Sequence, residues 1–136
     1  MRLLYPRLVV TSGLVNVFSH DIVRALAFYQ GVLGLPETFR TPPTGIPDHV
    51  EMTAGGFVVA LSTAEAAQRV HGLAAEVGRP AMSLVFWVHD VDAVFDEVTA
   101  FGAPVVTRPH DSGNENRNAV VRDPDGTLVE LVAKRS

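Results

Sequence analysis

The sequence lacks cysteine altogether among its 136 residues, which excludes disulfides, thiolate zinc ribbons and thiol nucleophiles. No apolar run reaches membrane-spanning length, and the start, MRLLYPRLVVTSG, has no apolar core of signal-peptide length followed by a small-residue cleavage site. The arginines are scattered over a chain of net charge −4, so there is no basic stripe for a phosphate backbone. We therefore expect a cytoplasmic protein without nucleic-acid or membrane partners.

The composition that remains is typical of a globular protein. Apolar residues make up 47% of the chain and charged residues 19%, far from the composition of disordered segments. A chain of this length can bury a hydrophobic core without cross-links but cannot hold two large domains. We predict a single domain over residues 1–136.

The sequence repeats itself at a shift of 69, which places His20-Asp21 over His89-Asp90. Each copy begins with an apolar strand, and an Asp then supplies the N-cap of a helix. Apolar residues at helical spacing follow, and Gly34 or Gly102 ends each helix because glycine accepts a positive φ. Both copies therefore predict a strand followed by an amphipathic helix.

The second halves of the two copies match at a shift of 70, with residues 49–62 over 119–132. Asp123-Pro124-Asp125-Gly126 is a strong turn sequence, and Thr53-Ala54-Gly55-Gly56 is its looser counterpart. Each module is thus strand, helix and three strands. The predicted strands are 14–19, 36–40, 48–53 and 57–62, then 82–88, 104–108, 116–122 and 127–133; the predicted helices are 21–33 and 90–101.

An alanine-rich segment joins the modules and predicts a linker helix. Ser62 and Glu65 are spaced as a capping box, and Gly78-Arg79-Pro80 would end the helix. Module 1 then spans about residues 13–62, the linker about 63–80 and module 2 about 81–134. The predicted fold class is α+β, with two tandem βαβββ modules.

Three sequence segments resemble the glyoxalase / bleomycin-resistance / extradiol-dioxygenase superfamily, also called the vicinal oxygen chelate superfamily. They are ALAFY at 25–29, VLGL at 32–35 and RDPDGTLVEL at 122–131, and the resemblance extends from residue 13 to about 133. It implies that the two sheets form an incomplete barrel with a central cup. Many members are homodimers, and in some the cup is shared between chains, so a homodimer is expected.

The same resemblance implies where a metal would bind. In metal-using members the ligands come from four strand positions, which correspond here to Leu14, Ala60, Ser83 and Glu130. Only Glu130 is a plausible donor, whereas a zinc or nickel site needs about three or four N, O or S ligands. We therefore expect no metal cofactor.

Glu130 is the best candidate for a catalytic group, because strand alternation points it into the cup. There it could contact a ligand amine or act as a general base. The alternative is a structural carboxylate paired with Arg117, Arg122 or Asn16, since a buried carboxylate needs a partner.

The remaining candidates follow from the same alternation. Phe18 and Trp87 coincide in the repeat and could stack on a ligand, or could simply pack in the core. His49 and Glu51 lie on one face of a strand and could form a replacement pair of metal ligands or an acid/base couple, although two such residues more often simply face solvent. The predicted ligand-binding residues are Asn16, Phe18, Ser83, Trp87, Arg117 and Glu130.

Three functions remain open. The first is a metal-free member that holds a small organic molecule in the cup, similar to the bleomycin-resistance proteins. The second is a metal-dependent lyase, isomerase or dioxygenase that uses His49, Glu51 and Glu130. The third, metal-free catalysis with Glu130 as base, is not separable from the first by sequence. We favour the first, because the loss of three donors removes the electrophile of the family's chemistry.

Overall fold

The computed structural model describes residues 14–79, 82–112 and 115–135. It contains two four-stranded sheets, ordered β1-β4-β3-β2 and β5-β8-β7-β6, that do not close into a barrel. The α+β class and the two βαβββ modules are thereby confirmed. The strands are β1 Val15–Ser19, β2 Glu37–Thr41, β3 His49–Ala54, β4 Phe57–Thr63, β5 Ser83–Trp87, β6 Val105–Asp111, β7 Asn116–Arg122 and β8 Leu128–Lys134; the helices are α1 Ile22–Leu26, α2 Ala64–His71 and α3 Val91–Phe101.

The helices of the two modules begin as predicted. Asp21 accepts a hydrogen bond from the amide of Arg24, and Asp90 accepts one from the amide of Ala93, both at 3.1 Å. The helix α3 ends at Gly102 with φ of 113°. After Leu26, α1 continues as a π-helical segment, Ala27–Val32. No helix in the described ranges is long and apolar enough to cross a membrane.

One face of each sheet is covered by helices and forms a hydrophobic core that draws on both modules. Within each module the first and last strands pair in parallel, and the remaining neighbours are antiparallel. Each large apolar side chain that is fully buried contributes about 1.5–3 kcal/mol of transfer free energy. The opposite face of each sheet is called the inner face below. The largest fully buried side chains are Phe28, Tyr29, Met52, Leu61 and Leu131.

The helix α2 differs from its prediction at both ends. Thr63, not Ser62, is the N-cap and accepts the amide of Ala66 at 3.1 Å. The helix ends at Gly72, whose φ of 66° stops it well before Gly78. Because Thr63 supplies the cap, the hydroxyl of Ser62 is left to the inner face of the first sheet.

The strand register corrects the predicted alignment of the two modules by one residue. His49 pairs with Ser62 in the first sheet, and Asn118 pairs with Val132 in the second. Asn118 is therefore the counterpart of His49, and the predicted match with Ala119 is wrong. The second hairpin has one more residue in its turn, and a shift of one residue moves a side chain to the opposite face.

Candidate functional site

The inner face of the first sheet carries four polar side chains in one hydrogen-bonded array. Nδ1 of His49 lies 2.7 Å from Oγ of Ser62, and Nε2 of His49 lies 2.9 Å from Oε2 of Glu51. The Ser62 hydroxyl donates to Oδ1 of Asn16 at 2.8 Å. We call Asn16, His49, Glu51 and Ser62 the polar array. The contacts run in the order Glu51, His49, Ser62, Asn16.

The register of three strands brings the array together. Ser62 lies beside His49 on one side and Phe18 on the other, while Ala60 lies between Asn16 and Glu51. Alternation along β3 turns His49 and Glu51 away from the core, into which Val50 and Met52 point. Sequence reasoning paired His49 with Glu51 correctly, but the contact with Ser62 depends on strand pairing.

A groove of about 420 Å³ lies between this inner face and α2. Three members of the array, Asn16, His49 and Ser62, line its polar side. Asp48 and Arg69 form an ion pair of 2.7 Å beside it. Thr41, Asp48 and His71 add further polar groups to the lining. A ligand in the groove would meet both hydrogen-bonding groups and hydrocarbon; the apolar lining residues are Phe18, Ala66, Ala67, Val70 and Leu73.

The inner face of the second sheet holds Glu130, half-buried between Val85 and Val120. Its carboxylate accepts a hydrogen bond of 3.2 Å from Nδ2 of Asn118. Asn118 in turn accepts one from the hydroxyl of Ser112. The prediction that Arg117, Arg122 or Asn16 would pair with Glu130 is wrong.

Arg117 does not reach the cup. Alternation along β7 places it on the helix-covered face with Ala119, and it binds Asp92 of α3 through two hydrogen bonds of 2.7 and 3.0 Å. A third bond of 3.0 Å reaches Asp111. The hydrogen bond from Arg117 lowers the pKa of the Asp92 carboxyl. Arg117 thus ties β7 to α3 and is not placed to contact a ligand with the other predicted residues.

The remaining predicted residues line a second cavity, of about 720 Å³, where β5 approaches module 1. Ser83 and Trp87 belong to it, together with Val15, Leu33 and Phe57. We call it the seam cavity. Trp87 is 62% exposed, which excludes the core-packing alternative. The six predicted ligand-binding residues are therefore not brought into one cup within a single chain.

The repeat, the open inner faces and the turn at Asp123-Pro124-Asp125-Gly126 agree with a direct comparison against known families. The family model described as the glyoxalase/bleomycin resistance protein/dioxygenase superfamily matches residues 11–131. The chain belongs to this superfamily. No curated protein sequence matches it.

Several solved structures share the fold. A family enzyme from Burkholderia phytofirmans PsJN is 26% identical, with a TM-score of 0.75 over 88% of this chain and 94% of its own. TioX from Micromonospora sp. ML1 is 26% identical, with a TM-score of 0.71 over 93% and 98%. The fosfomycin resistance protein FosX from Listeria monocytogenes is 16% identical, with a TM-score of 0.67 over 93% and 94%.

The metal that superfamily members can use does not fit the donors of this chain. Of the four corresponding positions, Leu14, Ala60 and Ser83 offer no carboxylate or imidazole, and Glu130 is engaged with Asn118. The described ranges contain no group of three His, Asp or Glu side chains able to hold an ion. The predicted alternative set of His49, Glu51 and Glu130 is not brought together within the described part of the chain: His49 and Glu51 contact each other, and Glu130 contacts Asn118.

Proposed function

We propose that this superfamily member binds a small organic molecule in the groove beneath α2 and uses no metal to do so. The observation that carries the proposal is the groove itself, in which Asn16, His49 and Ser62 share the lining with the apolar side chains of Phe18 and α2. Pockets that are mostly apolar and contain a few convergent polar groups are the usual sites of small-molecule binding. The ligand would then lie on the module 1 side of the cup that the family resemblance implies.

The lining of the groove limits the chemistry of the ligand. The ring of Phe18 and the side chains of Val70 and Leu73 suit an aromatic or aliphatic body. The imidazole of His49 and the amide of Asn16 suit one polar substituent that can both donate and accept hydrogen bonds. Compact amphiphilic molecules, aromatic amines among them, fit this description.

The test fills the groove without disturbing the core. Val70 lines the groove and is 63% exposed, so Val70→Trp adds an indole there at little cost in packing. Val23, on α1, is 56% exposed and lines none of the cavities described above, so Val23→Trp is the matched control. A thermal-shift screen with aromatic amines and other small amphiphiles would identify ligands, and calorimetry would give their affinities.

We expect affinity to fall at least about tenfold in Val70→Trp, a loss of about 1.4 kcal/mol, and to stay unchanged in Val23→Trp. Equal affinities in both variants would place the ligand elsewhere, with the seam cavity as the next site to block. A panel without any stabilising compound would count against ligand binding as the function.

The competing function, a metal-dependent lyase, isomerase or dioxygenase, predicts a stoichiometric ion. Elemental analysis of protein purified without chelators measures this directly. About one ion per chain, combined with stabilisation by the same ion, would overturn the metal-free proposal.

We also propose that the protein is a homodimer in which a second copy covers the seam cavity. Exposed apolar side chains cluster there on the edge strand β5 and on the residue before it: Met82, Val85 and Trp87 are each more than 40% exposed. Contiguous apolar surface of this kind marks interaction sites in soluble proteins. The cytoplasmic location predicted from the sequence stays a prediction.

A further inference from the structure

The polar array has the arrangement of a nucleophile, a base and an orienting acid. Oγ of Ser62 lies 2.7 Å from one ring nitrogen of His49, and the other ring nitrogen lies 2.9 Å from the Glu51 carboxylate. We propose that Ser62 is a nucleophile for acyl transfer, that His49 is its general base, and that the substrates are small esters or other activated acyl compounds. This activity goes beyond ligand binding and uses the same groove.

The distances satisfy the requirement for this chemistry, which is that nucleophile and base lie within about 2.6–3.2 Å and that a third group orients the base. The carboxylate of Glu51 accepts only, so it favours the tautomer of His49 with its proton on Nε2. In this tautomer Nδ1 carries no proton and can only accept, so the hydroxyl of Ser62 is the donor in their 2.7 Å contact. In the usual Ser-His-Asp triad, Nε2 faces the serine and Nδ1 faces the acid. In His49 the two ring nitrogens exchange these roles.

The proton of Ser62 has a short path to the base. The hydroxyl has two acceptors within reach, Oδ1 of Asn16 at 2.8 Å and Nδ1 of His49 at 2.7 Å. Since Oγ is already within hydrogen-bond distance of Nδ1, rotation of the O–H bond alone redirects the proton to His49. No movement of the backbone is required.

The reaction balances within the site and water. Oγ of Ser62 forms a bond to the acyl carbon while its proton passes to Nδ1 of His49, and the carbonyl oxygen becomes an oxyanion. The oxyanion collapses, the bond to the leaving oxygen breaks, and that oxygen takes the proton from His49. Water then attacks the acyl-serine with the same base, releasing the acid and restoring Ser62.

The carbonyl oxygen needs a hydrogen-bond donor during the attack. The amide of Asn16 adjoins Oγ of Ser62, and its Nδ2 is the donor that we assign to this task. A half-turn about the Cβ–Cγ bond of Asn16 exchanges its amide oxygen and nitrogen. The same group can therefore accept a hydrogen bond in the resting state and donate one during the reaction.

Module 2 provides a comparison within the same molecule. The counterparts of His49 and Ser62 by strand pairing are Asn118 and Val132, and Asn16 corresponds to Val85. The fold therefore forms the equivalent sheet without an imidazole or a hydroxyl at these places. The polar array belongs to module 1 alone and does not follow from the architecture of the repeat.

The test uses the full chain and p-nitrophenyl acetate, an ester with a good leaving group. We expect a burst of about one p-nitrophenolate per chain, and peptide mapping by mass spectrometry should locate the acetyl group on Ser62. Ser62→Ala should abolish both. Ser112→Ala, which removes a hydroxyl of the second sheet, should behave as wild type.

His49→Gln separates catalysis from folding, because glutamine can hydrogen-bond to both neighbours but cannot accept the proton. We expect acetylation about 100-fold slower in this variant. The wild-type rate should rise with pH along one ionisation that the variant lacks, a response that a merely structural role of His49 would not produce.

An absent acetyl group, or one that persists in Ser62→Ala, would overturn the proposal. A wild-type rate in His49→Gln would overturn the role of the base. Calorimetry with a groove ligand distinguishes a failure of the acyl-transfer proposal from a failure of the proposed binding function. A protein that binds the ligand but is never acylated has the binding function alone. Ser62→Cys covers the case in which Ser62→Ala does not fold, since its thiol should be acylated in place of the hydroxyl.

Discussion

The phenolic hydroxyl of Tyr29 donates a hydrogen bond of 2.8 Å to Oδ2 of Asp123. Tyr29 lies in the helical segment of module 1 and Asp123 in the turn between β7 and β8, so this buried bond joins the two modules. The other oxygen of Asp123 accepts the amides of Asp125 and Thr127 at 2.9 and 2.8 Å. One carboxylate thus holds the shape of the turn and fastens it to the neighbouring module.

Tyr29→Phe removes the hydroxyl and leaves Oδ2 of Asp123 buried without its partner. An unsatisfied buried acceptor costs about 1–3 kcal/mol, and we expect a loss of that size in the free energy of unfolding measured with urea. In a background of Asp123→Asn the same substitution should cost clearly less, because the two groups act as a pair. Identical losses in both backgrounds would contradict the coupling.

The ionisation of Asp123 makes stability depend on pH. Burial is the main cause that raises the pKa of this carboxyl, and the charge of Asp125 adds to it. Because the pKa is raised in the folded state, the protonated form stabilises the fold below the ordinary value of 3.8, and this contribution is lost as pH rises through the higher folded value. Asp123→Asn lacks this ionisation.

We therefore expect the wild type to lose stability relative to Asp123→Asn as pH increases across the acid range above 3.8. Urea unfolding of both proteins in a series of buffers measures the difference. If the difference in unfolding free energy stays constant over the series, or changes in the opposite direction, the pKa of the Asp123 carboxyl is not raised in the folded protein.

The larger features of the fold were predictable because they depend on local patterns. The Asp caps, the glycine that ends α3 and the alternation of each strand are encoded within a few residues. The two modules, all eight strands and both sheet-packing helices followed from these patterns. The boundaries of six strands differ from the prediction by one residue at one or both ends, those of β7 match it, and β6 continues three residues further, to Asp111.

The site was less predictable because it depends on register. A turn of one extra residue in module 2 shifted β7 against the predicted alignment, which moved Arg117 to the helix-covered face and placed Asn118 opposite Val132. His49 and Glu51 were found from their spacing. Their link to Ser62 was missed, because the capping-box spacing assigned that hydroxyl to α2 while Thr63 takes that role.

A second contact that the sequence did not indicate joins the linker to module 2. Gly78 has φ of 76°, and a Cβ added there would lie 2.2 Å from the carbonyl oxygen of Asp125. Gly72 has a similar φ of 66°, but a Cβ there would meet nothing within 4 Å. A comparison of substitutions at the two glycines therefore distinguishes the cost of backbone strain, which both share, from the cost of a steric clash, which only Gly78 has.

Gly72→Ala should cost about 1–2 kcal/mol, the strain of the left-handed conformation. Gly78→Ala should cost roughly 2–5 kcal/mol, because the backbone of the 123–126 turn must also move. Thermal and urea unfolding of the two variants checks this order. Equal losses would mean that the linker does not pack against the turn as closely as the distance requires.

The proposed homodimer makes its own prediction at Trp87. If a second copy covers the seam cavity, Trp87→Asp places a charge in that interface, and the buried charge would cost several kcal/mol unless the subunits separate. In size-exclusion chromatography with light-scattering detection, we expect the mass of a dimer for the wild type and the mass of a monomer for Trp87→Asp. Val23→Asp, a charge on an exposed position of α1, should leave the dimer intact. A monomeric wild type, or a dimer that tolerates Trp87→Asp but not Val23→Asp, would show that the exposed apolar face of β5 has another role.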